Sequence, residues 1–188
     1  MKSLINVLRI SSQLCIGVML VPLLHSASTA QIRAASEPEL KAAFVFNFAR
    51  FVEWPNSSFG ADQGTFRICV GGSASIAELI EQITSDKALA GRKIEVRSVK
   101  SNDSRLRECQ ILLVESGSPD AFLDATRNSS VLTVGNGTQF IEKGGLVDFI
   151  KEQNTIHFEI NPDLAQRLQL RISSKLLALA RLVRSTQP

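Results

Sequence analysis

Histidine, cysteine and tryptophan are scarce in this chain of 188 residues, at two, three and one. The first thirty residues read as a removable leader, for reasons given below, so only His157, Cys69 and Cys109 and the single Trp54 would remain. A zinc site takes about four N or S ligands, which one histidine and two cysteines cannot readily supply. A serine nucleophile needs a base. His157, the one candidate, sits in Thr155–Ile160, where strand alternation sets it opposite Ile156, Phe158 and Ile160, towards solvent. Cys69 and Cys109 are far from the C-x-x-C spacing of a redox-active pair. Charge of one sign is also lacking. Against 21 basic residues stand 18 acidic ones, with no basic stripe, so nucleic acid is not an expected partner. Gly71-Gly72-Ser73-Ala74-Ser75 lies between a strand and a helix but matches neither the dinucleotide fingerprint nor a P-loop. Its expected role is a tight turn. Aspartate and glutamate are scattered without a pair that sequence alone can place in one cleft. The chain looks poor in catalytic equipment, and an enzyme is not expected.

Long apolar runs are confined to the start. Lys2 and Arg9 form a basic head, Ile10–Leu24 is apolar apart from Ser11, Ser12 and Gln13, and Ser28-Thr29-Ala30 offers a small-residue cleavage site. That is the layout of a secretory signal peptide over residues 1–30, too short for a membrane span. Cleavage leaves 158 residues, nearly neutral with 19 basic and 18 acidic, enough for one domain over residues 31–188. In an exported chain Cys69 and Cys109 form either a disulfide or two free buried thiols.

What the sequence does have is phenylalanine, ten in all. Four of them and Trp54 fall between Phe44 and Trp54. In Ser36–Pro55 the Ser36/Glu39 spacing suits a capping box and Pro38 a first helical turn. Leu40, Phe44, Phe48 and Phe51 then recur at helical spacing, and the helix is expected to run to Trp54-Pro55, where proline stops it. A helix this apolar should be covered on most sides. Phe51 and Trp54, at its end, are the candidate partner-binding residues, because aromatic anchors dominate protein interfaces.

Further on, Thr65–Val70, Lys93–Val99, Ile111–Val114 and Val131–Val134 read as strands. Helical stripes intervene at Ile76–Ile83, started by Ser75 with Glu78, and at Ala121–Thr126 behind Ser118-Pro119-Asp120. Gly135-Asn136-Gly137 and Gly144-Gly145 read as turns needing positive φ. Leu146–Ile150 and Thr155–Ile160 read as an antiparallel hairpin, and Ser173 or Ser174 starts a last helix through Leu179, Ala180 and Val183. The alternation predicts a single α/β domain of three layers: a mainly parallel sheet, helices on both faces, and an antiparallel edge hairpin.

Leu40-Lys41-Ala42-Ala43-Phe44, Asn47-Phe48 and Phe51-Val52-Glu53-Trp54-Pro55 together resemble the opening signature of the YfiR-like family of exported bacterial proteins. The resemblance continues through Ile68–Gly71, Cys109–Leu113, Val131–Val134, Gly144-Gly145 and Phe158–Asn161 to Ile172–Ala180. It implies a periplasmic α/β protein that tends to dimerise; no cofactor is expected. It also implies a structural Cys69–Cys109 disulfide, without the second cysteine pair that some members carry. The implied function is repression of the periplasmic sensor domain of an inner-membrane diguanylate cyclase. An outer-membrane lipoprotein would draw the repressor away. Service to another membrane sensor, such as a histidine kinase, or binding of a small ligand at the Gly71–Ser75 turn or near Trp54, is the alternative.

Overall fold

The computed structural model describes residues 34–183 apart from Thr138 and Asn154, so the expected leader, residues 1–30, lies outside the described residues. Helix α1 spans Glu37–Phe51. The Glu39 carboxylate takes both the Ser36 backbone N–H (2.6 Å) and its hydroxyl (2.7 Å), tying off the helix start. The helix ends three residues before the Trp54-Pro55 stop that the sequence suggests. Val52–Glu53 (β1) leaves helical geometry to pair antiparallel with Arg171–Ile172, and the Ser173 N–H donates to Phe51 O at 2.8 Å. A strand partner more than a hundred residues away overrides the local helical pattern.

The other strands, β2 (Thr65–Gly71), β3 (Ala88–Leu89), β4 (Arg92–Val99), β5 (Ile111–Val114), β6 (Leu132–Gly135), β7 (Val147–Glu152), β8 (Thr155–Ile160), β9 (Arg171–Ile172) and β10 (Arg181–Leu182), include β9 as the partner of β1. The rest form one sheet in the order β10-β8-β7-β6-β5-β2-β4-β3. Pairing is parallel from β7 through to β4 and antiparallel in the hairpins β7–β8 and β3–β4. Both faces of the central strand are covered. Ile111 and Leu113 point into a core built with α1 and α2 (Ala74–Thr84). Leu112 and Val114 point into a second one with α3 (Pro119–Thr126), Leu106 and the two cysteines. An uninterrupted Ile-Leu-Leu-Val run is what a strand buried on both sides requires. The expected three-layer α/β architecture is thus present. Phe44 and Phe48 of α1 pack on Phe149 and Phe158 of the β7–β8 hairpin, with ring centroids 5.2–5.9 Å apart.

Several local details differ from the sequence reading. The cap of α2 is Ser73, whose hydroxyl accepts the Ile76 N–H at 3.4 Å, while Ser75 is exposed in the first turn. Asp86–Gly91 contains β3 and a two-residue turn, Ala90-Gly91, with φ of 48° and 78° at its centre. That is the geometry a tight hairpin prefers. After α4 (Pro162–Arg167), the last helix, α5, covers only Ser174–Leu177. The chain then joins the free edge of β8 as β10, with Val183 N–H donating to Ile160 O at 2.9 Å. Of the glycines read as positive-φ turns, Gly144 is one (φ 99°). Gly135, Gly137 and Gly145 are not; a Cβ on Gly135 or Gly145 would lie within 2.3 Å of the Phe140 ring, which is wedged between them.

Candidate partner-binding site

Phe51 and Trp54 flank one charged ridge. Phe51 lines a cleft of about 300 Å³ with Arg50, Glu53, Arg171, Ile172 and Ser173. Trp54 lines another, of about 410 Å³, whose walls are Phe59, Phe66 and the β3–β4 hairpin from Ala88 to Arg92. Arg50 and Glu53, both exposed, belong to both clefts. The Arg50 guanidinium stands 5.9 Å from the Phe46 ring and 5.8 Å from the Phe51 ring. Arg92 lies 3.9 Å over Phe59, and its buried Nε has no hydrogen-bond partner in the protein. The surface therefore combines aromatic walls with two cations, a composition typical of interface hot spots.

Trp54 itself is half-buried and held. Its ring meets Phe66 edge-on at 4.9 Å and its indole N–H donates to Gln110 O at 2.9 Å. Gln110, fully buried, is the hub behind the site. Its side chain accepts the Arg67 N–H (2.7 Å) and donates to Ser58 O (2.8 Å) and Glu108 O (3.2 Å). The next residue towards the N-terminus is Cys109, whose disulfide to Cys69 bridges Cα atoms 5.9 Å apart. The staple and the tryptophan thus share one backbone anchor. Sequence reasoning picks out Cys69, Cys109, Phe51 and Trp54; Gln110 falls inside the Cys109–Leu113 segment of the resemblance, but nothing in the sequence gives its role as a hub.

A second group, also not legible from sequence, gathers at the carboxyl ends of β5 and β6. Lys41 is buried and its Nζ reaches Glu37 (3.1 Å) and Glu115 (3.2 Å). Glu37 also takes Lys151 at 2.8 Å. Its pKa is lowered, first by hydrogen bonding from Lys151 and then from Lys41. Burial pushes the Glu115 carboxyl up. Asp148, 6% exposed, is pushed up to about 6, chiefly by burial, with Glu159 opposite it on β8 adding repulsion. Its Oδ1 accepts the Gly137 N–H at 3.1 Å. His157 is exposed, with Ile150 as its register partner. Among the described residues there is no cluster of histidine, cysteine or carboxylates suited to a metal ion, and no helix long and apolar enough to cross a membrane.

Comparison with known proteins agrees with this architecture. The chain matches no curated protein. Of solved structures, a conserved domain protein from Vibrio cholerae O1 biovar El Tor is 13% identical with a TM-score of 0.54, the match covering 78% of this chain and 60% of that one. This chain therefore spans less than two thirds of that protein, and the likeness concerns the fold alone. The ABC domain from Streptococcus pneumoniae in complex with L-Trp is 17% identical at a TM-score of 0.45, covering 63% of this chain and 55% of that one, and carries no weight here. The family model described as YfiR/HmsC-like matches residues 38–181, from the first turn of α1 to β10. The chain belongs to the YfiR/HmsC-like family.

Proposed function

We propose that this protein binds the periplasmic sensor domain of an inner-membrane diguanylate cyclase and holds the enzyme inactive. Family membership supports a periplasmic regulatory role in cyclic di-GMP signalling and, with it, this class of partner. The observation that supports a protein contact is the paired cleft around the Arg50/Glu53 ridge, with Phe51 on one side and Trp54 on the other. Trp54 is already locked by Phe66 and Gln110, so little side-chain entropy is lost when a partner covers it. To repress, the protein must bind the inactive cyclase more tightly than the active one, because equal affinity shifts nothing. The Cys69–Cys109 staple keeps Gln110, and hence Trp54, in place; reduction loosens that anchor and derepresses. A homodimer and capture by an outer-membrane lipoprotein complete the proposed circuit. Export through a leader cleaved near Ala30 places all three in one compartment. No catalytic role is assigned to the chain.

The test is cellular cyclic di-GMP in a deletion strain, restored in turn with wild type, Arg50→Glu and Cys69→Ala at matched periplasmic abundance. Deletion raises the nucleotide, wild type lowers it, and Arg50→Glu, altered at an exposed position, folds but fails to repress. No rise on deletion, with expression in the parent confirmed, refutes the cyclase and favours a sensor kinase or a small ligand in the Trp54 cleft. Trp54→Ala is a poorer probe, since losing the ring also removes the packing on Phe66.

A further inference from the structure

Asn136-Gly137 is the one Asn-Gly pair in the chain, and it stands at the carboxyl end of β6. Both residues are exposed. The dipeptide is the one most prone to self-modification, because glycine leaves its own backbone nitrogen unshielded beside the asparagine amide. The rate-limiting need is a base for that nitrogen's proton. Here the Gly137 N–H points at a carboxylate, Asp148 Oδ1, at 3.1 Å. That is within the reach required of a general base. Asp148 is held there by the sheet: it lies in β7, in register with Gly135 of β6, and faces Glu159 of β8. Lys41 of α1 is the cation whose field reaches it. No group among the described residues holds the Asn136 side-chain amide by a hydrogen bond.

We propose that Asn136 is a deamidation site whose rate is set by Asp148 acting as general base on the Gly137 nitrogen. The proton of the Gly137 N–H passes to the Asp148 carboxylate as that nitrogen attacks Asn136 Cγ. The new C–N bond closes a five-membered imide, and the amide nitrogen leaves as ammonia, carrying a proton away. Water then opens the imide, giving aspartate at 136 or its isomer with the backbone routed through the side chain. No oxidant or cofactor enters. A carboxylate pushed up to about 6 is a stronger base than a surface aspartate and is still ionised at neutral pH. The product adds a negative charge at the rim of the crevice formed by Glu115, Ser116, Asn136, Gly137 and Phe140, beside the Lys41 cluster.

The purified protein is incubated at 37 °C between pH 5 and 8, and the tryptic peptide 128–143 is followed by mass spectrometry for the gain of one mass unit. Asn128, followed by Ser129 in the same peptide, is the internal control: the Ser129 N–H donates to a carbonyl, Thr126 O, at 3.1 Å. Asn136 is expected to convert at least about tenfold faster in the folded protein than in the same protein in urea, the low end of general-base catalysis. Asp148→Asn, which keeps an acceptor for Gly137, slows conversion to the urea rate or below, and Asp148→Glu slows it by less. A folded wild-type rate equal to or below the urea rate overturns the proposal. So does an Asp148→Asn rate equal to or above wild type, which would make the hydrogen bond protective.

Discussion

Asp148→Asn tests the electrostatics of the buried carboxylate most directly. Asp148 is 6% exposed, its partners are the backbone N–H groups of Gly137 and Phe149 and a distant lysine, and Glu159 faces it across the hairpin. Its pKa rises from 3.8 in the open chain to about 6 in the fold. The folded protein therefore holds the proton more tightly than the unfolded chain. The stability that goes with the protonated form is complete below pH 3.8 and is lost as pH rises through about 6. A difference of about two pK units corresponds to about 3 kcal/mol at most. Asparagine keeps the shape and the acceptor for Gly137 but cannot ionise. Wild type and variant are expected to be similar in stability at pH 4, the variant gaining about 3 kcal/mol over wild type by pH 7. In urea that is a midpoint difference on the order of 1–2 M. The comparison is made between the two proteins at each pH because Glu37 and Glu95, whose pKa values are lowered, titrate in the opposite sense. A difference that stays constant from pH 4 to 8 refutes the reasoning and means that Asp148 is solvated.

Lys41→Met should cost about 3 kcal/mol at pH 7, because it leaves Glu115 buried and unpaired. Adding Glu115→Gln should recover part of that in urea unfolding. Removing the staple by Cys69→Ala, closing as it does a separation of 40 residues, should cost up to about 4 kcal/mol, read as a lower thermal midpoint that reductant no longer changes. Gly145→Ala should cost about 2–3 kcal/mol, since its methyl would lie 2.1 Å from the Phe140 ring. Phe140→Leu in that background should restore part of the loss; an unchanged Gly145→Ala midpoint would show that the loop moves freely.

What was legible in the sequence follows from what each feature depends on. Ile111–Val114 announces a strand covered on both faces by its own composition, and the α1 phenylalanines announce a covered helix by their spacing. The cysteine pair follows from residue count, export and family resemblance together. The features that were missed depend on partners far along the chain. Val52 and Glu53 continue a helical pattern and become a strand only because Arg171 and Ile172 lie beside them. Lys41 reads as the polar face of α1, yet its partner Glu115 comes 74 residues later, at the end of β5. Asp148 and Glu159 are each ordinary strand residues; only the register sets two acids opposite each other. Gly135 and Gly145 have turn-like neighbours, but it is the Phe140 ring that requires them. The same holds at the proposed contact surface. Phe51 and Trp54 could be chosen from composition. That they share Arg50 and Glu53 between two clefts, and that Trp54 hangs on the residue beside a disulfide cysteine, are facts of tertiary pairing. A regulator that works by presenting a fixed surface needs such long-range ties, since an aromatic held only by its own helix would pay its ordering entropy at each encounter. The staple, Gln110 and Trp54 therefore form one connected unit, and under the proposed function a lesion in any of them should weaken the proposed repression before it unfolds the protein.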